Sequence, residues 1–325
     1  MKLVARKIKD TKFPEGLFDT MKTGGSIDIV FSNKTGIPKA VNYMVVGDPG
    51  VGKSTVTLDI IADLQIAGYK VAFISCEMSD VDLKEYTERY PKFANVPIIY
   101  PGELDPESYT DIDGNFVEGD DVKGEIEGFL SEGYDIVLID SFVELEAIIR
   151  EAYKLPKAST EKYILSLMAK HNRGDNKADR YTSFLAIQQV TKGGNFVGSN
   201  RLKHMTTGMM EIRFDDDSES NRYIMFSKNR RGQVFQKLFF DLGDPDSTDS
   251  QTGVNYDIEG FHERKNQAAQ VAAMTKNQPD EKKHSKELFD NFFQARPKSE
   301  RVVPRTPEED AEEEVFQLEE ELRHA

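Results

Sequence analysis

Between residues 47 and 55 the chain reads GDPGVGKST, with glycine, lysine and hydroxyl side chains at fixed intervals. Gly47 through Ser54 fit the pattern G-x-x-x-x-G-K-[ST], a phosphate-binding loop. The residue types suit that chemistry. Gly47, Gly50 and Gly52 lack a Cβ, so backbone N–H groups can turn inward and cradle phosphate oxygens. Asp48, Pro49 and Val51 complete the loop backbone, and Thr55 follows it into the next element. Lys53 would reach the β- and γ-phosphates, and the Ser54 hydroxyl would bind Mg²⁺. The flanks agree. VNYMVV reads as a buried strand, and STVTLDIIADLQIAG as an amphipathic helix whose positive N-terminus faces the same anion. A chance glycine turn would not require both flanks.

Two carboxylates stand at the ends of later strands. Glu77 follows YKVAFIS in the stretch CEMSDVDL, just past a strand C-terminus, where parallel-sheet enzymes keep their chemistry. A carboxylate there can orient and deprotonate an attacking water. A glutamate at a helix start is also favoured by the helix dipole alone, and position does not separate the two readings. Asp140 ends YDIVLIDS, an apolar strand followed by an acid, the pattern that holds a Mg²⁺ hydration shell. Any buried strand can end in Asp, so the weight comes from its combination with the phosphate loop.

These residues need a frame. From about residue 26 to 243, YMVVG, VAFIS, PIIY, IVLID, SFLAIQQ, GMMEIRF, RYIMFS and LFFDL read as strands, and helical stretches separate most of the earlier ones. That order predicts an α/β fold: a twisted, mainly parallel sheet with helices on both faces, ending in antiparallel strands. Residues 1–25 form a basic arm with a short helix expected at GLFDTMK. Gly102 to Asp121 reads as a loop, 244–305 as a linker with short helices, and 306–325 as an acidic, largely disordered tail. The chain has 325 residues, one cysteine (Cys76) and a formal net charge of −15. No internal disulfide is possible, which fits a reducing cytoplasm. The apolar runs are strand-sized, so no membrane span is expected. The net charge argues against uniform attraction to nucleic acid, yet basic residues outnumber acidic ones between about 180 and 240.

The C-terminal part of the core carries a resemblance. FLAIQQVTKGGNFVGSNRLKHM and RYIMFSKNRRGQVFQKLFFDL resemble the bacterial RadA/Sms branch-migration ATPases, with their H-V-T-K-x-G…L-x-H-M stretch and K-N-R-F-G motif. Their loop commonly reads GDPGIGKST, and their metal-binding strand ends V-I-D-S, here LIDS. SCEMS looks instead like the S-L-E-M-S of DnaB-type helicases. Both groups have a RecA-like P-loop ATPase core, and the resemblance covers roughly residues 26–243. It implies ATP and Mg²⁺ as cofactors, with Glu77 as catalytic base. It implies that Gln189 senses the γ-phosphate, and that Lys228 and Arg230 enter the neighbouring subunit's nucleotide site. Residues acting in trans imply a homo-oligomer, a hexameric ring. The DNA-facing loop would run from Lys192 to His204, where Gly193, Gly194 and Gly198 give mobility and Lys192, Arg201 and Lys203 meet the phosphates of single-stranded DNA. A second basic loop is expected within 150–180, around Lys154, Lys157, Lys170 and Arg173. The implied activity is a DNA-stimulated ATPase and translocase in recombination, branch migration or replication. The alternatives are a replicative helicase core, a KaiC-like regulatory ATPase, and an ATP-controlled annealing protein.

The chain departs from these families in several places. It has no four-cysteine zinc motif, no Lon-like domain and no helical N-terminal domain, and Arg231 replaces the aromatic residue of K-N-R-F-G. It reads as a core-only version of the kind familiar in bacteriophages. The last twenty residues carry nine acids and one arginine. They read either as a solvated tail or as a DNA mimic that binds a basic partner. KELFDNFFQARP, with F-x-x-A at Phe292–Ala295, reads as a helix capping its own core or as a hook onto a neighbour.

Overall fold

The computed structural model describes residues 7–110, 116–189, 200–215, 221–243 and 253–276. The strands, in chain order, are β1 (Thr20–Met21), β2 (Ile37–Pro38), β3 (Asn42–Gly47), β4 (Val71–Ser75), β5 (Ile98–Ile99), β6 (Tyr109–Thr110), β7 (Phe116–Val117), β8 (Ile136–Asp140), β9 (Ser183–Ile187), β10 (Gly208–Phe214), β11 (Arg222–Asn229), β12 (Leu238–Leu242) and β13 (Val254–Tyr256). The helices are α1 (Asp28–Phe31), α2 (Lys53–Ile66), α3 (Asp80–Arg89), α4 (Val122–Ser131), α5 (Phe142–Tyr153), α6 (Lys157–His171), α7 (Asn200–Met205) and α8 (Ile258–Lys276).

The main sheet has the order β13-β12-β11-β10-β3-β9-β8-β4-β5. Its strands from β10 to β5 pair parallel, and β10 to β13 pair antiparallel. The predicted parallel core with an antiparallel end is therefore present. Side-chain alternation along the strands divides the interior into two layers. Tyr43, Val45, Phe73 and Leu138 face a cluster with Val56, Leu58 and Ile60 of α2. Met44, Ala72, Ile74, Val137 and Ile139 face the other side, against Ile126 of α4, Ile149 of α5 and Ile164 of α6. Each side chain fully withdrawn from water contributes about 1.5–3 kcal/mol. Helices on both faces thus follow from β3, β4, β8 and β9, which are mostly apolar and buried at every position.

Four expectations are corrected. GLFDTMK forms a turn followed by β1, not a helix. Gly16 takes a left-handed φ of +74°, and the fully buried Met21 pairs with Ile37, so the sheet claims the residues a helix would need. Helix α2 is not amphipathic in place: Thr55 through Ala62 are all buried. The 3₁₀ turn Pro91–Asn95 and β13 cover the face expected to meet solvent. The loop from Gly102 to Asp121 contains a small hairpin, β6 paired with β7. Finally, the sheet runs past the boundary placed at residue 243. β13 pairs with β12, and Phe261 of α8 is buried in the core. The acidic tail and KELFDNFFQARP lie outside the described residues.

A charged cluster holds this last strand against α2. Lys92 lies 2.6 Å from Asp59 and 2.8 Å from Asp63, and the Val254 N–H donates to Asp59 at 3.3 Å. Burial pushes the Asp59 carboxyl up to about 6, against the pull of Lys92. Burial also opposes the Lys92 ammonium, but the two carboxylates outweigh it and raise its pKa. Removing one partner of such a pair leaves a buried charge uncompensated, a loss of about 3–5 kcal/mol.

Candidate functional site

The C-terminal ends of the parallel strands open into a cavity of about 570 Å³, within the ~300–1,000 Å³ typical of small-molecule sites. The phosphate loop forms its floor between β3 and α2. Gly50 and Gly52 hold φ of +74° and +95°, conformations that glycine adopts without strain. Gly47 is needed for another reason: a Cβ there would lie 1.7 Å from the Ile212 carbonyl oxygen of β10. Gly47, Pro49, Gly50, Gly52, Lys53, Ser54 and Thr55 all line the cavity. Asp48 and Val51 do not. The Val51 side chain is fully buried, and the Asp48 carboxylate accepts from Arg213 Nη1 and Phe214 N, both at 3.2 Å.

Lys53 Nζ donates to the carbonyls of Gly47 (3.1 Å) and Asp48 (2.8 Å), curling over the loop. Burial lowers its pKa, while Asp140, Asp48 and Glu77 act in the opposite direction. Ser54 Oγ donates to Asp140 Oδ2 at 2.6 Å. Asp140 is 2% exposed, and burial pushes its carboxyl up to about 6. A hydroxyl and one buried carboxylate side by side suit Mg²⁺, which takes one or two protein oxygens and completes its shell with water and phosphate. Among the described residues no cluster of three or more His, Cys, Asp or Glu could hold a metal by itself.

Opposite the loop, Glu77 follows β4 and Gln189 follows β9. Gln189 Nε2 donates to Glu77 Oε1 at 2.9 Å, and both line the cavity. The strand ends bring the two carboxylates together: Ser75 of β4 is in register with Asp140 of β8. Glu77 and Gln189 thus face the phosphate loop from across the cavity.

Five further cavity residues had escaped the sequence reading: Tyr86, Arg89, Tyr90, Ile187 and Leu242. Tyr86, Arg89 and Tyr90 follow an i, i+3, i+4 spacing along α3 and its C-cap, so they share one side. That spacing was legible in YTERY. Leu242 was not, since β12 brings it from far along the chain to within 2.9 Å of where a Gly52 Cβ would sit.

Lys228 and Arg230 are elsewhere. Lys228 pairs with Met209, which pairs with Met44 of β3. That is three residues before Gly47, about 10 Å back along the strand and two strands across. Lys228 Nζ donates to the carbonyls of Lys203, His204 (3.4 Å) and Thr206 (2.8 Å), and Arg230 Nη2 to His204 at 3.0 Å. Both therefore cap the C-terminus of α7, at the opposite end of the sheet from their own phosphate loop. Burial and the adjacent Arg230 lower the Lys228 pKa.

The basic candidates separate in the structure. Lys192, Gly193 and Gly194 lie outside the described residues, as does the Arg201 side chain. Lys203 is part-exposed on α7. The expected cluster in 150–180 does not form. Lys157 starts α6 and Lys170 ends it, about 20 Å apart at 1.5 Å per residue.

No family model matches the chain. It is 27% identical over 222 residues to the DNA repair protein RadA of Helicobacter pylori strain 26695, covering 68% of this chain and 43% of the relative. It is 26% identical over 197 residues to the RadA of Chlamydia trachomatis, covering 60% and 38%. The chain thus spans less than half the length of the curated relatives it matches. The structure of a KaiC-like protein from Pyrococcus horikoshii superposes with a TM-score of 0.51 at 15% identity, covering 74% of this chain and 99% of that one. The fold is RecA-like, as the resemblance implied.

Proposed function

We propose that the chain is a Mg²⁺-dependent ATPase that forms a homo-oligomeric ring and translocates on single-stranded DNA in the cytoplasm. The observation that carries this reading is the split of its charged machinery between the two ends of the sheet. Lys53, Ser54, Glu77, Asp140 and Gln189 gather at one end, while Lys228 and Arg230 stand at the other, where only another subunit's nucleotide is within reach. In a ring, each site is completed by the next copy. The named DNA repair relatives and the basic stretch leading into α7 support DNA as the polymer in the channel.

Within one site, Lys53 would neutralise the β- and γ-phosphates, and Ser54 and Asp140 would hold Mg²⁺, which would supply charge stabilisation on the transferring phosphoryl. Glu77 takes a proton from the attacking water. Gln189, bonded to Glu77 and leading into the segment before α7, links loss of the γ-phosphate to the DNA-facing loop. Tyr86, Tyr90 and Leu242 give the far wall an apolar character suited to a base.

A pH dependence follows. Asp140 has its pKa raised to about 6, so its carboxylate takes a proton as pH falls through that value and loses the charge that holds Mg²⁺. Turnover at fixed, sub-saturating Mg²⁺ is expected to fall below about pH 6, and added Mg²⁺ to restore part of it. A profile unaffected by Mg²⁺ would remove Asp140 from metal binding.

The function is tested by the steady-state ATPase rate with and without single-stranded DNA across a salt series. Stimulation that fades as salt rises is the expected result, because phosphate contacts release counterions. A rate indifferent to DNA at every salt concentration would replace the translocase with an ATPase answering to protein partners.

A further inference from the structure

We infer that Arg213, acting through Asp48, is the positioning residue that sets the phosphate loop for nucleotide; this rests on the proposed nucleotide site. The loop leaves the sheet at Gly47, and Asp48 is the first residue beyond β3. Two of the next four positions are left-handed glycines, which permit the cradle conformation without enforcing it. Something else must fix the direction in which the loop departs.

The fix lies on the neighbouring strand. Ile212 of β10 is in register with Gly47, and its carbonyl leaves no room for a Cβ. One residue further, Arg213 Nη1 and Phe214 N both donate to the Asp48 carboxylate at 3.2 Å. Arg213 Nε donates to Glu211 Oε2 at 2.9 Å. Arg213 and Glu211 are each 6% exposed. The guanidinium is thus fixed by one carboxylate on its own strand while it holds another on the loop. Such charge-assisted bonds are roughly twice as strong as neutral ones, and burial of the guanidinium reduces their screening by salt, while the Asp48 side chain stays 31% exposed.

The charges also make sense together. A carboxylate in the second position of a phosphate loop repels the phosphates it borders. Asp48 acts on Lys53 to raise its pKa, and Arg213 acts to lower it. The guanidinium therefore offsets the repulsion and ties the loop down in one interaction. A loop ordered before binding loses less entropy when nucleotide arrives. Because the clamp does not touch the reacting atoms, its loss should weaken ground state and transition state alike, and so appear in KM more than in kcat.

The test compares wild type with Arg213→Lys, Asp48→Asn and the double variant. It measures the Kd of a fluorescent ATP analogue with Mg²⁺, ATPase KM and kcat, and Tm. Lysine keeps the charge but not the fork, and asparagine keeps an acceptor for Phe214 N, so both changes preserve volume. The expected result is a rise of about tenfold in Kd and KM for each single variant, as for losing a bond to a charged group. The double variant should be no worse than the weaker single, since both remove one interaction. Wild-type affinity in both single variants, or losses that simply multiply in the double, overturns the clamp while leaving the nucleotide site standing. A wild type that binds no nucleotide overturns both.

Discussion

Replacing Lys53 with alanine is expected to abolish ATP turnover, by at least about 10³-fold, and to leave the protein as stable as before or slightly more so. The first half follows from what the ammonium does. It is the loop's own cation in the cavity, and on the proposed function it would meet the charge that develops on the β- and γ-oxygens. Removing one preorganised donor from such a site costs about 10²–10³ in rate, and here a full charge goes with it. The second half follows from what the side chain now touches. Its recorded bonds go to the carbonyls of Gly47 and Asp48, and water can replace them. Burial already lowers its pKa, so the ammonium is a cost to the empty fold. Alanine is also the best helix former at the start of α2. Phosphate release and thermal unfolding of the same preparation check both halves. Turnover within tenfold of wild type would remove Lys53 from the phosphate site, and a large fall in Tm would make the loss of activity a folding defect.

The contrast between Lys53 and Arg213 shows what was legible in the sequence. Lys53 was visible because its partners in function are neighbours in the chain, and a motif of eight residues carries them. Asp140 and Glu77 were visible because parallel strands display their chemistry at their C-terminal ends. The central strands were legible because they are near-continuous apolar runs, as a sheet covered on both faces requires. Arg213 was not visible as a partner of Asp48, 165 positions away. It lies inside GMMEIRF, where a charge in a strand gives no hint of what it faces. Leu242 and β13 were hidden for the same reason. Leu242 reaches the phosphate loop from the end of β12, and β13 is placed by pairing with β12 and packing on α2; short-range patterns carry no information about either. The helix expected at GLFDTMK failed because Met21 had a better partner in Ile37 than any local turn could offer. Exposed α3 was a different case. None of its residues is fully buried, and only Leu83 and Tyr86 pack against the core, so its apolar stripe is thin, yet it brings Tyr86 and Arg89 to the cavity.

The trans arrangement has the sharpest test. Arg230→Ala is expected to bind Mg²⁺ and ATP as wild type does, yet to turn over about 10³–10⁵-fold more slowly, the range for loss of an arginine finger. Its own nucleotide does not need it, since Arg230 caps α7 at the far end of the sheet. The His204 carbonyl it would abandon belongs to an exposed residue, so stability should change by less than about 0.5 kcal/mol. Lys53→Ala and Arg230→Ala are each inactive alone, but they fail for complementary reasons. When the two are mixed and allowed to exchange subunits, an interface can join an intact phosphate loop from one variant to an intact Arg230 from the other. Random mixing of equal amounts makes about a quarter of the head-to-tail interfaces complete, and activity should return to a comparable fraction of wild type. If Arg230 acted within its own subunit, no mixture could restore a complete site, because every chain would still carry one defect. Recovered turnover in the mixture would therefore establish action between subunits without any need to see the ring.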